Sequence, residues 1–172
     1  IFKYVARFVE IRNYSAYLFC GLLAWQFNQY TTLESCGCIL KHRDLVKKVY
    51  FPREALPLSV MLGNLIHFCF TMILFLAFLV FIRHGLRWTY LWIPVVMAAQ
   101  CGLALGLGFV VSALNTLLRD VEYMLTFLFM LGFYITPILY PVKLVRQHVP
   151  EFYSLYMLNP MAVIIETYRS VI

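Results

Sequence analysis

Four stretches free of Asp, Glu, Lys and Arg, residues 14–33, 55–82, 89–117 and 123–142, limit what this chain can fold into. Each is at least as long as the roughly 20 apolar residues that a helix needs to cross a hydrocarbon core. Lipid offers no water to a free N–H or C=O, so a chain that enters it must close its own backbone hydrogen bonds. The expected fold is therefore an all-α integral membrane protein, a polytopic helical bundle with four spans visible. The rest of the composition agrees: 63% of the 172 residues are hydrophobic and 13% charged, against about 25% charged in an ordinary soluble domain. The flanks, residues 1–13 and 152–172, mix charged with apolar residues and read as interfacial segments or incomplete helices.

The formal charge of +6 raises the question of nucleic acid, but the bases sit in short gaps between apolar runs rather than over one solvated face. Such gaps suit cytoplasmic loops and lipid headgroups. Lys and Arg near span ends are retained on the cytoplasmic side. The densest cluster, Lys41, Arg43, Lys47, Lys48 and Arg53, then lies inside, as does the turn Arg119-Asp120-Val121-Glu122, and both ends of the chain lie outside. Cys20, Cys69 and Cys101 stand within apolar runs as small hydrophobes; Cys36 and Cys38, a lone CxC pair, read as filler rather than a metal site. His67 reads as a packed, hydrogen-bonded histidine, since proton relays come as chains of ionisable groups. Asn64, Gln100 and Asn115 read as interhelical hydrogen bonders. Ala98, Gly102 and Gly106, with Ala104, Gly108 and Ser112 on a neighbouring stripe, read as ordinary close helix packing. No phosphate loop, metal quartet or nucleophile elbow is present in the sequence.

Between the first two spans, Leu45, Val46, Val49, Tyr50 and Phe51 recur at near-helical spacing among Lys47 and Lys48, and Pro52-Arg53-Glu54 leads into the second span. A simple connection has no need of such an amphipathic element. It could dock in a groove of a cytoplasmic partner or lie on anionic lipid; the pattern alone serves both equally.

The run Leu45-Val46-Lys47-Lys48-Val49-Tyr50-Phe51-Pro52-Arg53-Glu54, followed by Leu56-Pro57-Leu58, resembles the signature of type 2 ABC-transporter permeases that export O-antigen, teichoic acid and capsular polysaccharide. Supporting matches follow in the family's order: residues 21–27 (GLLAWQF), Ser112-Ala113-Leu114-Asn115, Arg119 to Glu122, Thr136-Pro137-Ile138-Leu139-Tyr140-Pro141, and Leu158-Asn159-Pro160-Met161-Ala162 with Glu166, Tyr168 and Arg169. One local departure is residues 31–38, where Glu34 and two cysteines replace small polar residues.

The resemblance implies a six-span permease of the bacterial cytoplasmic (inner) membrane. Residues 1–172 would be one transmembrane domain holding the second to fifth spans, an internal stretch lacking the family's amphipathic helix, first span and last span. It implies a coupling helix at about 41–54 that seats in a separate nucleotide-binding ATPase subunit, with Arg119, Asp120 and Glu122 as a second contact or simply a salt-bridged turn. Re-entrant helices at about 137–161 would form an outer gate with Pro137, Pro141, Asn159 and Pro160. Sugar rings would slide on aromatic faces, for which Trp25, Phe27, Tyr30, Phe133, Tyr134 and Tyr140 are the candidates. The partners implied are the ATPase, a second permease copy, lipid-linked glycan and membrane lipid, not nucleic acid. ATP and Mg would bind the ATPase, while this chain would hold no cofactor or metal and catalyse nothing. An ABC permease for drugs or other small molecules is the alternative. An ion-coupled secondary transporter would want a carboxylate within the spans, and a membrane scaffold would leave the docking helix without a purpose.

Overall fold

The computed structural model describes residues 14–42, 52–83, 88–118, 120–139 and 158–172. Among these every regular element is helical: α1 (Tyr14–Lys41), α2 (Ala55–Arg83), a 3-10 turn (Trp88–Trp92) leading into α3 (Ile93–Leu117), α4 (Val121–Ile135) and α5 (Pro160–Val171). Ala55–Phe81 and Trp88–Leu117 are long and apolar enough to cross a membrane, and Val121–Ile135 is a shorter apolar helix. The coupling segment from Leu45 to Phe51, with Arg119, Tyr140 and Pro141, falls outside the described residues.

α1 is the hub, packing against each of the other four helices. Pairwise contacts give the directions. Asn64 meets Glu34, Phe68 meets Phe27 and Phe75 meets Phe19, so α2 runs antiparallel to α1. Gln100 reaches the Ala24 carbonyl and Asn115 the Cys36 carbonyl, so α3 runs parallel to α1. A side chain at Gly37 would approach Glu122, Gly132 lies against Trp25, and the Tyr14 hydroxyl donates to the Leu139 carbonyl, so α4 is antiparallel. One end of the bundle therefore gathers Lys41, the start of α2 and the α3–α4 turn. The opposite end gathers Tyr14, the 3-10 turn and residues 136–139.

The hub helix is longer than its charge-free run. Expected to close near residue 33, α1 continues to Lys41 and takes in Thr31, Thr32, Glu34, Ser35, Cys36 and Cys38. All of these except Glu34 are buried. They are small enough for α3 to come close: a Cβ at Gly108 would sit 3.1 Å from both the Cβ and Oγ of Ser35. Polarity here marks the inside of the bundle rather than an exit from it, as expected where lipid is the outer solvent. Glu34 accordingly lies within the helix, a carboxylate where the run 14–33 has none. α4, by contrast, stops before its run of 123–142 does, with Ile135 as its last residue. Pro137 bars the preceding residue from helical geometry, and Thr136 is extended at φ −75°, ψ 142°. Composition stays apolar through this break, so hydropathy alone misses it.

Of the two small-residue stripes on α3, Ala104, Gly108 and Ser112 are buried, and Gly108 meets α1. Ala98, Gly102 and Gly106 are exposed; a Cβ at either glycine would meet nothing within 4 Å.

Candidate functional site

Two ends of the bundle carry the candidate site residues. At the Lys41 end, α2 is entered through a turn: Ala55 N–H donates to the Pro52 carbonyl at 3.0 Å and Leu56 N–H to that of Arg53 at 3.3 Å. Arg53 and Glu54 thus stand in front of the helix, exposed, rather than opening it. They border a cavity of about 410 Å³ that α1, α2 and α3 close with Ile39, Pro57, Ser112 and Thr116. Beside it, Asp120 is exposed and precedes α4 without capping it by a side-chain bond, while Glu122 and Lys41 flank Gly37. Pro52, Arg53, Glu54, Asp120 and Glu122 are therefore brought to one end.

At the Tyr14 end the candidate gate residues meet. The Asn159 side chain accepts from Met161 N–H at 3.0 Å and Pro160 occupies the first helical position, a residue pair suited to start a helix because one caps a free donor and the other lacks one. Asn159 Nδ2 also donates to Thr136 Oγ1 at 3.1 Å, tying the start of α5 to the residue before Pro137. The other end of α5 is held by Arg169. Its Nη1 donates to the Pro137 carbonyl at 2.6 Å and its Nη2 to that of Ile138 at 2.8 Å. The guanidinium carbon stands 3.6 Å from the Tyr17 ring centroid, and Glu166 lies 3.6 Å away. Only 4% of this side chain is exposed. Gly21 makes the room, since a Cβ there would fall 2.8 Å from Nη2. Arg169 thereby joins three parts of the chain, α1, the end of α4 and α5, and sequence reading gave it no role beyond a family match.

The aromatic candidates separate. Trp25 and Phe27 are packed shut at 5% and 4% exposure. Trp25 presents its edge geometry to Phe129 and Phe133 at 5.8 and 6.2 Å, and Phe27 lies 4.8 Å from Phe68. Phe133 is half-buried in the same cluster. Tyr30 and Tyr134 are open, at 55% and 62%.

The three expected interhelical amides do bridge helices. Gln100 Nε2 donates to the Ala24 carbonyl at 2.7 Å, Asn115 Nδ2 to that of Cys36 at 2.9 Å, and Asn64 Nδ2 to Glu34 Oε2 at 2.8 Å. His67 differs from expectation. It is exposed, lining a small cleft between α1 and α2, and among the described residues no hydrogen bond reaches its ring. Its i+4 neighbour Thr71 uses the His67 carbonyl instead. Cys36 and Cys38 are both buried and free; two positions apart on a helix they point about 200° apart, a geometry that cannot chelate one ion. Among the described residues no group of three His, Cys, Asp or Glu side chains is placed to hold a metal.

The chain is 35% identical over 98% of its length to the O-antigen export system permease protein RfbA of Klebsiella pneumoniae, and 30% identical over 94% to that of Myxococcus xanthus. A further Klebsiella pneumoniae protein of the same name is 32% identical over 98%. The chain spans 64%, 62% and 64% of those three relatives' own lengths, respectively. Residues 6–172 match the family model described as ABC-2 type transporter, so this chain belongs to the ABC-2 type transporter family of integral membrane proteins.

Proposed function

We propose that the chain is part of the transmembrane subunit of an ATP-driven exporter that moves lipid-linked polysaccharide across the bacterial cytoplasmic membrane. The observation that carries this is the similarity, along nearly all of the chain, to permeases named for O-antigen export. In this reading the protein works as a pair of six-span permeases with ATPase subunits that bind ATP and Mg. The permease hydrolyses nothing itself. The Lys41 end faces the cytosol, because Lys41 and Arg53 border the segment richest in bases. Leu45 to Glu54 is the segment that couples to the ATPase, and Asp120 and Glu122, at the same end of the bundle as Arg53 and Glu54, serve as a second cytoplasmic contact.

The geometry suggests how force would travel. The coupling segment joins the last residue of α1 to the first turn of α2, so a push on it enters both helices. α1 is a 28-residue rod, about 42 Å at about 1.5 Å per residue, that ends at Tyr17 and Gly21 against Arg169. Closure of the ATPases would tilt that rod and be felt at the α4–α5 junction, a rigid-body motion rather than a diffuse one. In this reading Pro137, Asn159 and Pro160, gathered at the opposite end of the bundle, belong to the outer gate.

The test is export itself. Tyr50→Ala with Phe51→Ala should abolish surface polysaccharide on immunoblots while permease persists in the membrane and glycan accumulates inside. Normal surface polysaccharide in a strain deleted for this gene would remove the exporter reading altogether.

A further inference from the structure

We infer that the cleft between α1 and α2 carrying Gln26, Tyr30, Asn64, His67 and Thr71 is a sugar-contacting wall of the translocation path. This rests on the exporter reading above. The cleft is shallow, about 150 Å³, with Phe27 and Phe68 among its lining residues.

Its position is what makes its polarity costly. His67 lies near the middle of Ala55–Arg83, the more apolar of the two helices able to cross a membrane. Polar and ionisable side chains at that depth face a bundle interior or water, because lipid satisfies none of their hydrogen bonds. α2 separates the two environments itself. Ile66, Phe70, Ile73 and Phe81 are each more than half exposed and share one apolar face. Asn64, His67 and Thr71, spaced i, i+3 and i+7, lie to one side of that face, along the cleft. The opposite wall continues the pattern with Gln26, Tyr30 and Glu34, spaced i, i+4 and i+8, all exposed. An apolar helix bound for lipid has no reason to carry such a stripe.

The chemistry favours a glycan as occupant. Elsewhere in the bundle polar side chains turn inward to backbone carbonyls, as Gln100 and Asn115 do. In the cleft, among the described residues, no hydrogen bond reaches the Gln26 amide, the Tyr30 hydroxyl or the His67 ring. Hydrogen-bonding side chains beside aromatic carbon match a sugar ring, which has hydroxyls on its rim and C–H on its faces. The one carboxylate, Glu34, is engaged with Asn64 at 2.8 Å. Neutral hydrogen bonds exchange readily with water, so a long chain can slide past without being trapped. A covering transmembrane helix could fill the cleft only by supplying matching polar groups of its own.

The experiment is cysteine accessibility in the complete transporter in its native membrane, with the native cysteines replaced and permease levels checked. Asn64→Cys, His67→Cys and Thr71→Cys are compared with Phe70→Cys and Ile73→Cys, using a water-soluble methanethiosulfonate. The cleft positions should react about tenfold faster than the two controls, as water access at that depth requires. They should slow severalfold when the ATPase is arrested with the strain's own lipid-linked polysaccharide present, compared with a strain blocked in its synthesis. Uniformly slow labelling overturns the proposal and assigns the cleft to a covering helix. Fast labelling indifferent to glycan overturns the sugar assignment and leaves a wet cleft of another kind. The labelling contrast between cleft and controls needs no export to be read, so loss of the exporter reading would show separately, as surface polysaccharide that survives gene deletion.

Discussion

Replacing Arg169 by Leu removes the side chain that joins the C-terminal half of α5 both to residues 137–138 after α4 and to α1. Two donors disappear from the Pro137 and Ile138 carbonyls, whose residues are buried. Orphaning a buried acceptor costs about 1–3 kcal/mol, and loss of the cation–π contact with Tyr17 adds about 0.5–2 kcal/mol. Against this, a guanidinium at 4% exposure is expensive to bury, and a leucine recovers part of that desolvation, on the order of 2 kcal/mol. Taking two acceptors and the ring contact near mid-range gives a loss of about 5 kcal/mol, offset by about 2, so the net is about 3 kcal/mol. That is roughly a hundredfold rise in the open population of the α5 dock. Backbone hydrogen exchange in purified permease reads it directly: amides of Ala162 to Tyr168 should exchange roughly a hundredfold faster, with those of α2 unchanged. Arg169→Lys keeps the charge but not the planar fork that reaches both carbonyls, and should fall between. Gly21→Ala acts from the other side, putting a Cβ 2.8 Å from Nη2 and pushing the guanidinium off its carbonyls. Exchange at α5 that stays within about threefold of wild type in both Arg169→Leu and Gly21→Ala would refute the clasp.

Gly108→Ala should lower thermal stability by about 1–3 kcal/mol, because its Cβ would meet Ser35 Cβ at 3.1 Å; Ser35→Gly should restore it and Ser35→Ala should not, as a melting curve in detergent can show. Alanine at Gly102 or Gly106, where nothing lies within 4 Å, should be neutral or stabilise by up to about 1 kcal/mol in the same assay. Gln100→Leu and Asn115→Leu should each cost about 0.6–1.7 kcal/mol, the size of interhelical hydrogen bonds in membranes, since the Ala24 and Cys36 carbonyls they release lie within a helix. Trp25→Ala should cost about 3–5 kcal/mol and free α4, seen as faster exchange from Phe129 to Phe133, because the indole fills the space left by Gly132.

What the sequence made legible follows the physics of lipid. Absence of charge over residues 55–82 and 89–117 translates almost directly into helix, because a chain in hydrocarbon has no other way to close its backbone. The missed boundaries have separate causes. Residues 34–38 fall beyond the charge-free run 14–33, yet Ser35 and Cys36 meet α3, and α1 runs on to Lys41. The reverse holds at residues 136–142, where an apolar run hides a break that Pro137 sets; proline was the available signal there. Trp25 and Phe27 are buried in this chain, and nothing in a single sequence separates a ring that lines a path from one that fills a core.

The clasp was the least legible feature, for a physical reason. Arg169, Gly21, Tyr17 and Pro137 lie on three segments, and no helical period connects an arginine with a glycine far away in the chain. Each alone has an ordinary explanation: a base at a helix end, a small residue in a span, a tyrosine near an interface, a helix breaker. Only their convergence gives the arginine its two carbonyls and its ring, and the glycine its reason to lack a side chain. In a bundle whose outer solvent is lipid, polar groups become informative when they are asked what they face. Arg169 faces backbone carbonyls and an aromatic ring, and is a fastener; Asn64 and Thr71 border an open cleft with His67, and that difference is why the first is expected to govern stability and the others transport.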